Sequence, residues 1–599
     1  MNLSAQDPKD SRGGEGAELG GGGMRSSQPT PRLFPAPESM RPTLTGSRWM
    51  VCGGHPLTAE VAARVFAAGG NAIDAGVAAG LASNVVQVDM CSLGGIAPIV
   101  MRLAGRSEAI SISGVGLWGS EVTLERFRAR FGGTVPLGEG VAVVPAALDA
   151  WITALACGGT WSFSQVAAPA IELAESGFPL DQRTAAALTI MGRGFARWPT
   201  SRAVLWPSGA PPQTGEILRQ PALARLLTRL AEREQGGRPG GLEAVRAAFY
   251  EGEVAQRIVE FVRAGGGWLS LTDLAEFRSE VEVPPAREFA GWKVFSSGPF
   301  TQGPALLQAL AILEHLEVGR MRHNGADYLH VLVEAIKLAF SDRERFYGDP
   351  HHVEVDLEHL LSDAHAAELA ARIVMDGVLP NLPTLRSDGK VPPPRAGRLD
   401  LRRDTTYLCT LDAAGNAFSA TPSDTADGGP IVPELGFLIS PRGVQSRLDP
   451  SHPAVLGPGR RPRTSPASAL ALTAAGDVWT FGCPGGDVIL QAMLQAFLNH
   501  VVFGRTLQQA VEEPRVAGFS FPGSFYPHVE VPGRLSVEAR IPPEVREDLA
   551  ARGHDVELWD PWDFDMGSVG MARSYVGAGR APRLEAAADP RRTAYAFGA

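Results

Sequence analysis

The chain has 599 residues, 44% hydrophobic and 20% charged, enough apolar material for a large folded core and too much for a disordered chain. With 55 Lys and Arg against 65 Asp and Glu the net charge is -10 and the pI is near 5.7, which argues against nucleic acid or an anionic membrane as a partner. No uninterrupted apolar run reaches the ~20 residues of a membrane span; the stretch 61–86 comes nearest and is broken by Arg64, Asn71, Asp74 and Asn84.

Length alone suggests about four domains. Cys52, Cys91, Cys157, Cys409 and Cys483 are odd in number and widely spaced, with no C-x-x-C, and read as reduced thiols of a cytoplasmic protein without a zinc site. Residues 1–43 are rich in Gly, Ser, Pro and charge and lack an apolar h-region; they read as a disordered tail, not a signal peptide, with Met24 or Met40 as alternative starts. Trp49-Met50-Val51 predicts a short strand, and His55-Pro56-Leu57-Thr58 a helix entry with Thr58 as N-cap. His55 has no partner at metal spacing and reads as structural. Gly69-Gly70-Asn71 stops one helix, and Asn71 caps the next, whose Ala and Gly residues up to Val86 permit close packing.

A glycine pair follows at Gly94-Gly95, and then a G-x-G-x-x-G pattern at Gly114, Gly116 and Gly119, between an expected strand and an expected helix over 121–131. With Glu139 beyond it, this permits an alternative reading as a dinucleotide site with pyrophosphate at the helix amino end. No run of alternating strands and helices surrounds it, which counts against that reading. Further helices are expected around Val143–Trp151, Ala170–Ser176 before Gly177, Asp273–Phe277, Pro304–Leu310 and His330–Phe340. His351-His352 reads as a solvated turn.

From Leu379 to Arg403 the chain is poor in core residues and full of Pro and Arg, as expected of an exposed mobile linker. Directly after it, Thr405 to Thr410 and Ala417 to Thr421, separated by Asp412–Asn416, read as a β-hairpin. A cut between Asp404 and Thr405 would give Thr405 a free amine beside its own hydroxyl. Nucleophile and base then share one residue, because an α-amino group has a pKa of about 7.7 to 8.0. Thr421–Thr425 carries further hydroxyls close to the strand opening. Cys483-Pro484-Gly485-Gly486 is a glycine turn of the kind that can converge backbone NH groups on one oxygen.

Gly69–Ala75, Gly94-Gly95, Asp404–Tyr407 with Gly415-Asn416-Ala417, Arg461–Ser465, Cys483–Gly486 and Ala587–Arg592 occur in an order that resembles the gamma-glutamyltranspeptidases, self-cleaving N-terminal-nucleophile hydrolases, over roughly 46–597. The resemblance implies an α+β fold, an αββα sandwich of two stacked sheets with helices outside. One compact unit then replaces the four domains, built from a large segment 44–404 and a small segment 405–599 that stay associated after cleavage. It implies catalysis by Thr405, a supporting hydroxyl at Ser423, an oxyanion site at Gly485 and Gly486, and substrate contacts at Thr425, Gln445, Thr464 and Ser465. No cofactor or metal is implied, and a homodimer of processed units is compatible with it. An oxamate amidohydrolase is among the relatives that it brings in.

Two departures matter. The family arginine that grips a substrate α-carboxylate falls on Gly114 or Gly116, and the acidic pair that holds the α-amine falls near Val444 or Gln445. Glycine cannot replace a guanidinium clamp. Hydrolysis of a small amide is therefore expected ahead of γ-glutamyl transfer, with glutathione hydrolysis as the alternative, an uncut binding protein next, and Arg442 as a new carboxylate-binding group.

Overall fold

The structure, a computed structural model, describes residues 38–195, 197–238, 240–379, 405–576 and 583–599. Asp404, nearly all of the expected linker and most of the expected tail lie outside the described residues. Ser39–Ala599 form one compact unit, which corrects the four domains suggested by length.

Two seven-stranded sheets organise that unit. One runs, in spatial order, Tyr595–Gly598, Trp49–Gly53, Leu408–Asp412, Ala417–Ala420, Ile99–Arg102, Ile110–Ile112 and Val281–Glu282. The other runs Leu44–Gly46, Arg583–Ala588, Gly570–Tyr575, Val478–Gly482, Ala469–Leu472, Trp292–Ser296 and Ala286–Phe289. All pairings in both are antiparallel. Each sheet contains strands from before residue 379 and strands from after residue 405, so neither part of the chain owns a sheet.

Side-chain alternation assigns the central strands two apolar faces. Cys409 and Leu411 meet Leu470, Leu472 and Ala572 in a core between the sheets. Leu408 and Phe418 face the other way, into a core with the helix Ala72–Val86. Ala469, Ala471, Trp479 and Phe481 likewise face outward against helices Gly303–Glu314, Ala326–Phe346 and Ile489–Val501.

The helix Ala72–Val86 is buried along its whole length and starts with the expected Asn71 cap, reinforced by Asp74 as a capping box. Its small residues are required by contact: a Cβ on Gly76 would lie 2.3 Å from Phe418 Cδ1. At the preceding helix, Pro56–Ala67, the cap is His55, whose Nδ1 accepts from Leu57 N, and not Thr58 as expected. An imidazole nitrogen in the right place serves as well as a hydroxyl, and Thr58 is buried inside the first turn.

The glycine pattern at 114–119 is explained by packing. A Cβ on Gly114 would lie 2.0 Å from Ala97 O, one on Gly116 1.8 Å from Val144 O, and one on Gly119 2.7 Å from Trp268 O. The chain's own backbone fills the space that a pyrophosphate would need, and the helix begins only at Leu124 with Thr123 as cap. The dinucleotide reading is thereby corrected.

Candidate active site

Thr405 does not open a regular strand, as the hairpin reading expected. The strand begins at Leu408, and Thr405 makes a single antiparallel bridge to Ser423, next to a hydrogen bond from Thr406 N to Pro422 O at 3.0 Å. Ser423 is bridged on its other side by Ile96, and a Cβ on Gly95 would lie 2.3 Å from Ser423 O. The glycine pair at 94 and 95 thus lets the segment that bears Ser423 close on the threonine. Thr406 is fixed separately: its hydroxyl donates to Gln87 Oε1 at 2.8 Å.

The two hydroxyls meet. Thr405 Oγ1 lies 2.9 Å from Ser423 Oγ, and both residues are buried. Behind Ser423 stands Arg442, which sequence reasoning had turned toward substrate. Its guanidinium instead donates through Nη2 to Ser423 Oγ, through Nε to Asp424 Oδ1 at 2.5 Å, and through Nη1 to Gln445 Oε1 at 3.0 Å. Gln445 in turn donates through Nε2 to Ser465 Oγ at 3.3 Å. The chain Thr405–Ser423–Arg442–Gln445–Ser465 therefore connects five of the residues singled out in the sequence.

Asp424, which sequence reasoning missed, anchors this chain with its buried carboxylate at a backbone φ of 104°. A non-glycine residue there costs about 1–3 kcal/mol and persists only when its surroundings hold it; the ion pair with Arg442 supplies that restraint. Thr425 turns away and donates to Asp427 Oδ1 at 2.8 Å. Thr464 is held on Phe300 O through its backbone NH at 2.8 Å.

Thr405 also borders a cavity of about 20 Å³, room for about one water. Thr405, Gln87, Pro484, Ser568, Arg183 and Arg592 are in its wall. Pro484 brings the expected oxyanion turn to the threonine's cavity, with Gly485 at φ 128° and Gly486 at φ 59°, a backbone that glycine adopts without strain. A Cβ on Gly485 would lie 3.6 Å from Arg592 Nη2. Arg442, Gln445, Thr464 and Ser465 are not in this wall.

The two cavity arginines also escaped sequence reasoning. Arg183 pairs with the buried Asp89 at 2.6 Å, and burial pushes the Asp89 carboxyl up despite that guanidinium. Arg592 donates to Phe564 O at 3.1 Å and stacks over the Phe564 ring. Arg592 was visible only as the end of the Asp589–Arg592 run, and Arg183 lies in no motif.

Side chains able to hold a metal are found elsewhere among the described residues: ligand atoms of His330, Glu334 and His554 lie within 4.8 Å of one another. His330 Nδ1 is 2.9 Å from His554 Nε2. The Lys337 ammonium is 2.6 Å from Glu334 Oε1, a positive charge that competes with a cation for the same carboxylate.

Comparison with known proteins accords with this geometry. The family model described as gamma-glutamyltranspeptidase matches residues 58–599. The acylase ACY 1 proenzyme of Pseudomonas sp. (strain SE83) is 31% identical over 549 residues, 89% of this chain and 91% of that protein. The oxamate amidohydrolase proenzyme of Klebsiella pneumoniae subsp. pneumoniae is 28% identical, covering 92% of this chain and 98% of its own length. The crystal structure of cephalosporin acylase from Bacillus halodurans superimposes with a TM-score of 0.80 at 26% identity, covering 96% of this chain and 99% of that one. An α+β N-terminal-nucleophile hydrolase with amidohydrolase relatives is what the fold and these likenesses have in common, and the chain belongs to the gamma-glutamyltranspeptidase family.

Proposed function

We propose that the chain is a precursor that cuts itself between Asp404 and Thr405 and then hydrolyses a small amide through an acyl-enzyme on Thr405. The observation that carries this reading is the 2.9 Å contact of Thr405 Oγ1 with Ser423 Oγ beside a cavity walled by the Pro484 turn. In the first reaction Thr405 Oγ attacks the Asp404 carbonyl, the acyl group moves from nitrogen to oxygen, and water opens the ester. In the second, the freed amine of Thr405 takes the hydroxyl proton, Oγ attacks the substrate carbonyl, and the Gly485 and Gly486 NH groups hold the oxyanion. Water then releases the acid. Ser423 orients the threonine, and Arg442, pinned by Asp424, orients Ser423.

The helix–sheet–sheet–helix order of the three cores supports the αββα four-layer sandwich expected of such enzymes. Strand interleaving supports association of fragments 1–404 and 405–599 after the cut. Hydrolysis is placed ahead of transfer because Gly114 and Gly116 are packed against backbone and neither Val444 nor Gln445 is acidic.

A second reading, cleavage of γ-glutamyl amides, draws on one observation: Arg183 and Arg592 bring positive charge to the nucleophile's cavity. A denaturing gel of the purified wild type and of Thr405→Ala tests the core of the proposal, with two fragments expected from the first and one intact chain from the second. An intact wild-type chain would favour a binding protein instead. Assays of processed enzyme on glutathione, a γ-glutamyl anilide and oxamate then separate the two readings; if Arg592→Gln raises KM for γ-glutamyl substrates alone, the second reading prevails.

A further inference from the structure

Cys52 and Cys409 are directly opposed in the antiparallel ladder between Trp49–Gly53 and Leu408–Asp412. Residues opposed in this way have Cα atoms about 4.5–5.5 Å apart, within the span of about 4.4–6.8 Å that a disulfide bridges. Both side chains enter the core between the sheets, where each thiol shifts the titration of the other. Cys52 also reaches the wall of the Thr405 cavity, which admits a molecule about the size of water. Neither sulfur has a part in the amide chemistry proposed above.

We propose that this pair is an oxidation site, at which hydrogen peroxide entering through the nucleophile's cavity joins Cys52 to Cys409 as a disulfide. Cys52 Sγ attacks one peroxide oxygen, the O–O bond breaks, and the thiol proton leaves with the other oxygen as water, giving a sulfenic acid. Cys409 Sγ then attacks Cys52 Sγ, the S–O bond breaks, and a second water departs. Two thiols lose two electrons and two protons, and one peroxide becomes two waters. Cys409 and then burial hold the Cys52 thiol up, so it enters the first step with its proton. Burial pushes the Cys409 thiol up too, but its neighbours Cys52, Thr480 and Tyr407 outweigh it and hold this sulfur below its ordinary value, which suits the attacking group of the second step. The new bond would fix the strand that follows the nucleophile to its neighbour, and after a cut at Asp404 it would join the two fragments covalently.

The test is peptide mapping of the full-length wild-type protein after peroxide, under non-reducing conditions. Trypsin should release residues 49–64 linked to the peptide that ends at Arg442, two hydrogens lighter than the sum of the separate peptides, and dithiothreitol should abolish it. In cut protein, a non-reducing gel should change from two bands to one of 63.4 kDa. The linked peptide forms in cut and uncut chain alike, starting at Thr405 in the first and at Asp404 in the second, so the readout does not depend on self-cleavage. The proposal falls if both thiols still alkylate after a peroxide dose that has oxidised the exposed Met40, or if Cys52 proceeds to the sulfinic acid while Cys409 stays free. Cys52→Ser and Cys409→Ser should each remove the linked peptide; the wild-type result decides without them.

Discussion

At the scale of single residues, the site depends on a buried hydroxyl that is oriented by a second hydroxyl, itself held by a guanidinium. Ser423→Ala removes the 2.9 Å partner of Thr405 and leaves the fold in place; kcat for hydrolysis should fall about 10- to 100-fold with little change in melting temperature. Arg442→Ala is more damaging, because it strands Asp424 as a buried, uncompensated carboxylate, and breaking such a pair costs about 3–5 kcal/mol. Arg442→Lys should recover much of that stability but not the geometry at Ser423, since an ammonium cannot donate along three directions in one plane. Both variants should lower kcat on acidic and neutral substrates alike; a rise in KM confined to acidic ones would return Arg442 to the substrate. That distinction was not legible in the sequence. Arg442 could be read as an available cation only because its partner Asp424 lies in a different turn and is brought to it by the fold.

The elements around the site were legible to differing degrees, for a physical reason in each case. The Asn71 cap and the small-residue helix that follows it could be read because capping and close packing leave local marks. The role of Gly114, Gly116 and Gly119 could not, because a glycine required by the backbone of Ala97, Val144 or Trp268 looks the same as one required by a phosphate. Two substitutions separate these uses of glycine. Gly76→Ala pushes a methyl into Phe418, and overpacking of this kind costs about 1–3 kcal/mol; a lowered melting temperature with near-normal kcat per folded molecule is expected. Gly485→Ala meets only ordinary contacts, the nearest at 3.6 Å, but a φ of 128°, so its stability cost should be about 1–2 kcal/mol. Its effect on turnover should be larger, about 10²–10³ in kcat if the turn supplies an oxyanion donor. A Gly485→Ala enzyme with unchanged kcat would remove that turn from the mechanism.

Across the whole molecule, buried titratable groups set the response to acid. Burial first, then neighbouring cations, hold His452 at about 4 and His554 at about 3, against an ordinary value of about 6.5. Both are neutral when folded and take up a proton only on unfolding as pH falls below about 6.5. Their contribution is therefore complete above that pH and declines as pH drops toward the folded values. Glu282, pushed up to about 7 chiefly by burial, and His365, raised chiefly by its hydrogen bond to Asp342, work in the opposite sense and offset part of the loss. The urea midpoint should fall between pH 7 and pH 4.5 by an amount equivalent to a few kcal/mol; a flat profile would mean that the histidines are hydrated. None of this could be read along the chain, where His452 and His554 have no titratable neighbour that explains them. The two-sheet arrangement could be read, because family motifs are spread from one end of the chain to the other.

That both sheets combine strands from the two sides of Thr405 has a kinetic consequence. The uncut chain folds as one molecule, so its recovery from denaturant should not depend on how dilute it is. Once severed, neither piece can complete a sheet without the other. Renaturation then becomes a second-order encounter whose yield falls with dilution, and the mature enzyme should be far easier to denature than to restore.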